Sequence, residues 1–226
     1  MLTDAHTHIL PDMDDGSESV EMSMQMLAQL HAQGAECVVA TPHFYLHREK
    51  RAADYLQRRQ ARFDTLLKQQ PPVELLLGAE VAIEQGISDV PELAQLAVSG
   101  TDLILLELPY APYQSWMEAE IHAIAVQHGL TPVIAHIHRY LMWYTEEEFN
   151  TVLGWDAIFQ INVEAFEGFR QNRIAREVFK RKLPFLFGSD CHNLSDRKPN
   201  FDLLRRKLKS EVLDQANRVF RQHRKG

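Results

Sequence analysis

Seven short apolar runs, each leading into a segment with helical patterning, constrain this chain more than any other feature. The runs fall at 2–8, 36–41, 73–80, 102–108, 131–136, 157–163 and 184–189, and their length and buried look are those of strands. Between and after them the spacing predicts helices over 17–33, 52–70, 91–98, 113–128, 145–153, 171–182 and 201–223. Ser17 is placed to cap the first and Gly34 to close it. Pro71-Pro72 stops the second, and Glu146, Glu147 and Glu148 suit the positive end of the fifth. Strand–helix alternation on this scale predicts an α/β protein with a mainly parallel sheet. A closed barrel of seven strands is the first choice and an open doubly wound sheet the second. No linker, low-complexity stretch or internal repeat interrupts the chain, so a single domain over 1–226 is expected.

The residues that close the runs are the second constraint. The first run passes through Asp4-Ala5-His6-Thr7-His8 and on to Asp14-Asp15-Gly16. His6 and His8 alternate, so on an extended strand both imidazoles point to one side. Later runs end in Thr41-Pro42-His43, Gly78-Ala79-Glu80, Glu107-Leu108-Pro109, His136-Ile137-His138-Arg139 and Ser189-Asp190-Cys191-His192. In a barrel these ends share one mouth, where active sites are found. Imidazoles and carboxylates together suit manganese, iron and zinc. Bridging carboxylates let divalent ions sit side by side, and such a cluster can clamp a phosphate and activate water near neutral pH. Any one His or Glu at a strand end is more often a solvated loop residue; six such ends together are hard to produce by chance. Glu80 and Glu107 carry extra weight, because a charge closing an apolar run is costly to bury unpaired. His31, His47, His122, His128 and His223 fall in helical or charged segments and are expected at the surface.

Composition narrows the classes. A net charge of −7, from 31 acidic and 24 basic residues, argues against a nucleic-acid-binding surface, and the basic stretch 205–225 reads as a solvated helix face. Two cysteines, Cys37 and Cys191, make no disulfide framework and disfavour structural zinc. No signal-peptide pattern opens the chain, and no apolar run approaches the roughly 20 residues of a bilayer span. A cytoplasmic protein without membrane insertion is the expectation.

The succession D-x-H-x-H, D-D-G, x-P-H, G-x-E, E-L-P, A-H-x-x-R and G-S-D-x-H, from Asp4 to His192, resembles the polymerase and histidinol phosphatase (PHP) superfamily. Within it, the chain is most similar to the manganese-dependent bacterial protein-tyrosine phosphatases of capsule and exopolysaccharide loci. The resemblance implies a distorted seven-stranded (β/α)7 barrel of the PHP type and three divalent ions, with manganese expected and iron, zinc or magnesium as alternatives. Carried over by motif, it implies that His6, His8, Glu80 and Asp190 hold one ion; Glu80, Glu107 and His136 a second; Asp15, His43 and His192 a third. Arg139 matches the family's arginine, expected to contact the phosphoryl group in catalysis and binding, and its fork suits phosphate oxygens. Arg197 is a further basic neighbour of the substrate. One departure stands out: where the family has H-P-E-R, this chain has His136-Ile137-His138-Arg139, so any carboxylate that orients Arg139 must come from elsewhere.

The implied activity is hydrolysis of phosphotyrosine on a protein, a bacterial tyrosine kinase controlling capsular or exopolysaccharide synthesis. The alternatives are a small-molecule phosphomonoesterase such as histidinol phosphatase and a non-catalytic metal-binding module that regulates a kinase. A homo-oligomer is left open. A rival mechanism lies in the same segment. Cys191 and Arg197 have the C-x5-R spacing of cysteine-dependent tyrosine phosphatases, where backbone N–H groups cradle phosphate and a thiolate attacks. The loop has no glycine, and Asp196 beside the arginine would repel phosphate, so Cys191 reads as a small residue between two ligands.

Overall fold

In the computed structural model, residues 2–225 are described; Met1 and Gly226, the ends of the expected domain, lie outside the described residues. Nine strands appear where seven runs were expected: β1 (Thr3–Thr7), β2 (Cys37–Ala40), β3 (His43–Phe44), β4 (Glu74–Leu77), β5 (Glu80–Ala82), β6 (Leu103–Glu107), β7 (Thr131–Ile134), β8 (Ile158–Asn162) and β9 (Phe185–Gly188). They form a three-stranded sheet in the order β1-β2-β4 and a six-stranded sheet in the order β3-β5-β6-β7-β8-β9. Every pairing is parallel.

The excess has a local cause. The second run stops at Ala40 and resumes at His43, across Pro42, which has no N–H to give the ladder. The third stops at Leu77 and resumes at Glu80, across Gly78-Ala79. The same two stretches therefore pair twice, Ala40 with Leu77 in one sheet and His43 with Glu80 in the other. At the opposite edges, Thr7 bridges Cys191; His8 N donates to Cys191 O (2.9 Å) and Asp190 N to His6 O (2.8 Å). The two sheets thus meet at both sides.

Alternate strand residues feed two separate apolar clusters. Ala5, Val39, Leu105, Val133, Ile158 and Leu186 belong to a cluster enclosed by the strands. Val38, Leu106, Ile134, Phe159 and Phe187 belong to the larger cluster shared with the helices. Burial of both faces accounts for runs that are apolar throughout. In β1 the alternation is interrupted. Asp4 is level with Val38 and Thr7 with Ala40, so three steps along β1 match two along β2. Such a bulge re-aims the side chains beyond it.

The helices are α1 (Val20–Ala32), α2 (Ala52–Leu67), α3 (Ser115–His128), α4 (Glu146–Val152), α5 (Phe169–Lys180), α6 (Asp202–Lys207) and α7 (Ser210–Gln222). Ser19, not Ser17, caps α1: its Oγ accepts from Met22 N at 3.1 Å, while Ser17 Oγ bonds Ser19 O and Ser23 Oγ. The helix expected over 91–98 is reduced to a 3-10 turn, Leu93–Leu96: Ala97 is already extended, and Val98 N and Ser99 N donate to Leu103 O and Leu77 O, both at 2.8 Å, instead of continuing a helix. The one expected over 201–223 breaks at Leu208, which turns extended and packs on the core. Thr145 and Glu148 form a reciprocal capping box on α4. Among the described residues, no helix is long and apolar enough to cross a membrane.

Candidate metal centre

All nine candidate ligands converge where the strands end. At the β1 bulge and just beyond it, His6 Nε2 and His8 Nε2 stand 3.1 Å apart. Glu80 Oε2 is 3.2 Å from each, and Asp190 Oδ1 lies 3.5 Å from His6 Nε2 and 3.4 Å from His8 Nε2. His6 and His8 are fully buried. Both rings have their other nitrogen committed: Asp14 Oδ2 is 2.7 Å from His8 Nδ1, and Gln160 Oε1 is 3.1 Å from His6 Nδ1. Each Nδ1–H donates outward, so both Nε2 lone pairs face the carboxylates. Lone pairs gathered in this way repel one another unless a cation stands among them.

A second group continues from Glu80. Its Oε1 lies 2.8 Å from His136 Nε2, which is 3.4 Å from Glu107 Oε1. A third lies toward the surface, where Asp15 Oδ1 is 3.4 Å from His43 Nε2 and 3.5 Å from His192 Nε2. Three sets each have donor atoms within 4.8 Å of one another: His8, Asp15, His43 and His192; His6, His8 and Asp190; His43, Glu80 and Glu107. His8 and His43 therefore each stand in two sets, which the motif assignment did not anticipate. His43 Nδ1, His136 Nδ1 and His192 Nε2 are buried without a hydrogen bond; His43 Nδ1 is 3.1 Å from Glu80 Oε2 without the geometry of one. Orphaned nitrogens in a set of imidazoles and carboxylates fit divalent transition metals.

The groups of the cluster act strongly on one another. Burial alone would raise the Glu80 carboxyl, yet the imidazoles of His6, His136 and His8 around it outweigh burial and hold it well below its usual range. Burial would lower His136, but hydrogen bonds to Glu107 and Glu80 push it up to about 9. Asp15 is lowered, chiefly by the neighbouring His192 imidazole.

The backbone is bent to aim these groups. His136 (φ 29°) and Asp190 (φ 52°) occupy the left-handed region, which costs a non-glycine residue about 1–3 kcal/mol and concentrates at functional sites. Gly16 is needed for a close approach, since a Cβ there would lie 2.2 Å from His8 O.

Three supporting residues carry no signal strong enough to single them out in the sequence, and a fourth, Asp14, stands in the D-D-G motif without a role of its own. Asp14 Oδ2 also accepts from His43 N at 3.0 Å. Gln160 Oε1 accepts from His136 N at 2.7 Å, and its Nε2 donates to Asn162 Oδ1 at 2.8 Å. Asn162 Nδ2 donates to Asp190 Oδ2 at 3.0 Å. Glu164 Oε1 accepts from Arg139 Nη2 at 2.7 Å, so the carboxylate missing from the arginine's own motif arrives from the end of β8. The one available hint was Gln160 and Asn162 at alternate positions of an otherwise apolar run.

Arg139 Nη2 and Arg197 Nη2 reach Asp190 Oδ2 at 2.6 and 2.9 Å. His138 is buried, with Nε2 3.6 Å from Glu164 Oε1. Cys191 is packed into the core, and burial, with the Asp4 charge, pushes its thiol well above the ordinary value. A thiolate nucleophile does not fit that setting. His31, His47 and His122 are exposed as expected. His128 and His223 are half-buried instead, bonded to Ser88 O (2.8 Å) and Asp102 Oδ1 (2.9 Å), where they tie segments together.

Residues 2–223 match the family described as capsular polysaccharide synthesis, CpsB/CapC. The chain belongs to the CpsB/CapC family. Among the relatives of this CpsB/CapC chain, the tyrosine-protein phosphatase YwqE of Bacillus subtilis is 32% identical over 146 residues, which cover 61% of the chain and 55% of YwqE, little over half its length. The tyrosine-protein phosphatase CpsB of Streptococcus pneumoniae is 28% identical over 214 residues, 88% of the chain and 86% of CpsB. A solved structure from work on YwqE and CpsB as unique metal-dependent tyrosine phosphatases superposes with a TM-score of 0.77 at 24% identity, covering 100% of the chain and 96% of that structure. A histidinol phosphate phosphatase from Lactococcus lactis gives 0.57 at 14% identity, over 98% and 93%. These likenesses show a mixed α/β fold built on parallel sheets.

Proposed function

We propose that this CpsB/CapC chain is a metal-dependent protein-tyrosine phosphatase, the activity for which its relatives are named. The observation that carries the reading is the meeting of His6 Nε2, His8 Nε2, Glu80 Oε2 and Asp190 Oδ1 beside two arginines. In this reading His6, His8, Glu80 and Asp190 hold one ion, Glu80, Glu107 and His136 a second, and Asp15, His43 and His192 a third, with manganese as the metal. His8 and His43 lie where sets overlap, so the ions share neighbours. The strands make a distorted barrel of seven positions, with β2 and β3 as one and β4 and β5 as another, in one domain over 1–226. The substrate is a bacterial tyrosine kinase of polysaccharide synthesis, met in the cytoplasm.

Bound divalent ions would supply Lewis acidity toward the phosphoryl oxygens and a low pKa for water. The chain's own part is positioning. Asp14 and Gln160 fix the His8 and His6 tautomers. Glu164 and Asp190 anchor Arg139 by Nη2, and the rest of its fork binds phosphoryl oxygens as charge develops on them. Arg197 adds a second positive charge at Asp190. With Cys191 buried and protonated, water attacks phosphorus directly as the bond to the tyrosine oxygen breaks; water's proton is given up, the leaving tyrosine oxygen takes one up, phosphate is released and no phosphoenzyme forms.

The test compares a phosphotyrosine peptide with histidinol phosphate, with manganese or with chelator. We expect manganese-dependent hydrolysis of the peptide that is lost on chelation and in His136→Ala and kept in Cys191→Ser. Activity that survives chelation and dies in Cys191→Ser would overturn the metal mechanism. A preference for histidinol phosphate would overturn the protein substrate.

A further inference from the structure

Two grooves run outward from Arg139 along α5. The inner one, about 550 Å³, is walled by Tyr110, Arg139, Met142, Trp143 and Glu164. The outer one, about 670 Å³, continues past Phe169 and Arg173. Leu141 and Arg170 line both, so the two form one continuous track. Its rim leaves large apolar side chains in water: Met142 is 89% and Phe169 93% exposed. Exposed apolar surface edged by polar groups, beside an active mouth, marks a binding surface.

The charges along the track single out one residue. Arg139 faces Glu164 and Asp190, Arg173 faces Glu146, and Lys180 and Arg181 both face Glu177. Among the described residues, the Arg170 side chain has no ion pair and no hydrogen bond, although it stands at the junction of the grooves. It is the second residue of α5, whose first turn has no acidic residue and whose cap, Gly168, offers no side chain. The positive end of that helix is therefore uncompensated as well. An unpartnered guanidinium and a bare helix start, on a chain of net charge −7, make a local attraction for a carboxylate.

We infer that this track holds the polypeptide on one side of the phosphotyrosine, with Met142, Trp143 and Phe169 as its apolar wall and Arg170 reading an acidic side chain close to the phosphorylated residue. The inference rests on the phosphatase reading and adds a sequence preference to it.

The test measures kcat/KM of the manganese-loaded protein on phosphotyrosine peptides carrying Glu, Gln or Lys at each of three positions on either side. On one side only, Glu is favoured over Gln by roughly two- to fivefold, the scale of a solvent-exposed ion pair. Arg170→Lys keeps the preference and Arg170→Glu turns it toward Lys. Each ratio is taken within one variant, so a general loss of folding or turnover cancels. Equal rates on all peptides, or a preference that Arg170→Glu does not move, overturn the inference while leaving the phosphatase reading intact. If no peptide is hydrolysed, that reading fails. Fluorescence anisotropy of the same labelled peptides then decides the track by the same Glu, Gln and Lys ratios.

Discussion

The two ends of the strands use the same residue types in opposite ways. Where the strands begin, two carboxylates each have partners from another part of the chain. Asp102, just before β6, accepts from Thr131 Oγ1 and from His223 Nδ1, both at 2.9 Å. Glu74, the first residue of β4, takes both arms of the Arg224 guanidinium. The last turn of the chain is tied down there too: Lys225 N donates to Gly100 O at 2.8 Å, and Phe220 enters the strand-enclosed cluster. Where the strands end, Glu80 alone is approached by His6, His8, His43 and His136, with orphaned nitrogens left over. At the first end Asp102 and Glu74 are paired within the chain and serve stability; at the other, imidazoles and carboxylates crowd together in a set that fits divalent ions. That division between the two faces is the one expected of parallel strand-and-helix barrels.

Cutting one carboxylate at each end, with activity and stability read together, tests whether the two ends are independent. Asp190→Ala removes the oxygen facing His6 and His8 and the anchor of two arginines. Its kcat/KM on a phosphotyrosine peptide should fall by roughly 10²–10³-fold, the cost of losing one preorganised charge partner. Gln160→Leu comes next. It leaves all nine candidate ligands in place but frees His6 Nδ1 and His136 N. Metal titration should show affinity weaker by about 10–100-fold, as for other partners behind a ligand. Gln160→Glu keeps the acceptor and should recover most of it. Unchanged metal affinity in Gln160→Leu would mean that the buried amides serve packing alone.

The legibility of the site follows the same division. Ionisable residues that interrupt apolar runs are conspicuous, so His43, Glu80, Glu107, His136 and Asp190 stand out in the sequence itself. Gln160 and Asn162 stand out less, because a neutral amide in a strand carries no charge to explain. Backbone events are hidden for a different reason. The bulge between Asp4 and Thr7 has no glycine to mark it, and it depends on register against β2. The breaks at Pro42 and at Gly78 have turn residues as signals, yet the apolar runs around them read as continuous. The nine-for-seven strand count comes from those two breaks. Likewise, Leu208 interrupts the last helix by packing inward, a tertiary effect that helical periodicity does not register.

A smaller effect is expected where support for the site comes from the half-exposed rim. Glu164→Gln weakens the hold on Arg139 Nη2. Because Glu164 is more than a third exposed, water replaces part of that interaction, and KM for the peptide should rise roughly three- to tenfold with metal affinity unchanged. Adding His138→Glu to Glu164→Gln returns a carboxylate to the arginine's own motif and should recover part of the loss. A fall in metal affinity instead would place Glu164 with the ligands' supports and not with the substrate.

The smallest effect belongs to the other end. Burial would raise the Asp102 carboxyl, but hydrogen bonds from Thr131 and His223 outweigh it and hold the group below its ordinary value of 3.8. A lowered folded-state pKa means that folding favours the ionised form. Its contribution is therefore full above pH 3.8 and fades as pH falls through the lower folded value. Asp102→Asn should cost about 0.5–1 kcal/mol at neutral pH, as a partly solvated pair does. In a chain of this size that is a drop of roughly 1–4 °C in Tm. The gap between variant and wild type should close as the melting buffer is taken below pH 3.8, because both then carry a neutral group at this position. Peptide hydrolysis should not change, since Asp102 lies at the start of β6 and Glu107 at its end. If kcat/KM fell together with Tm, the two ends would be coupled through the strands, and stability and chemistry would not be separable in this fold.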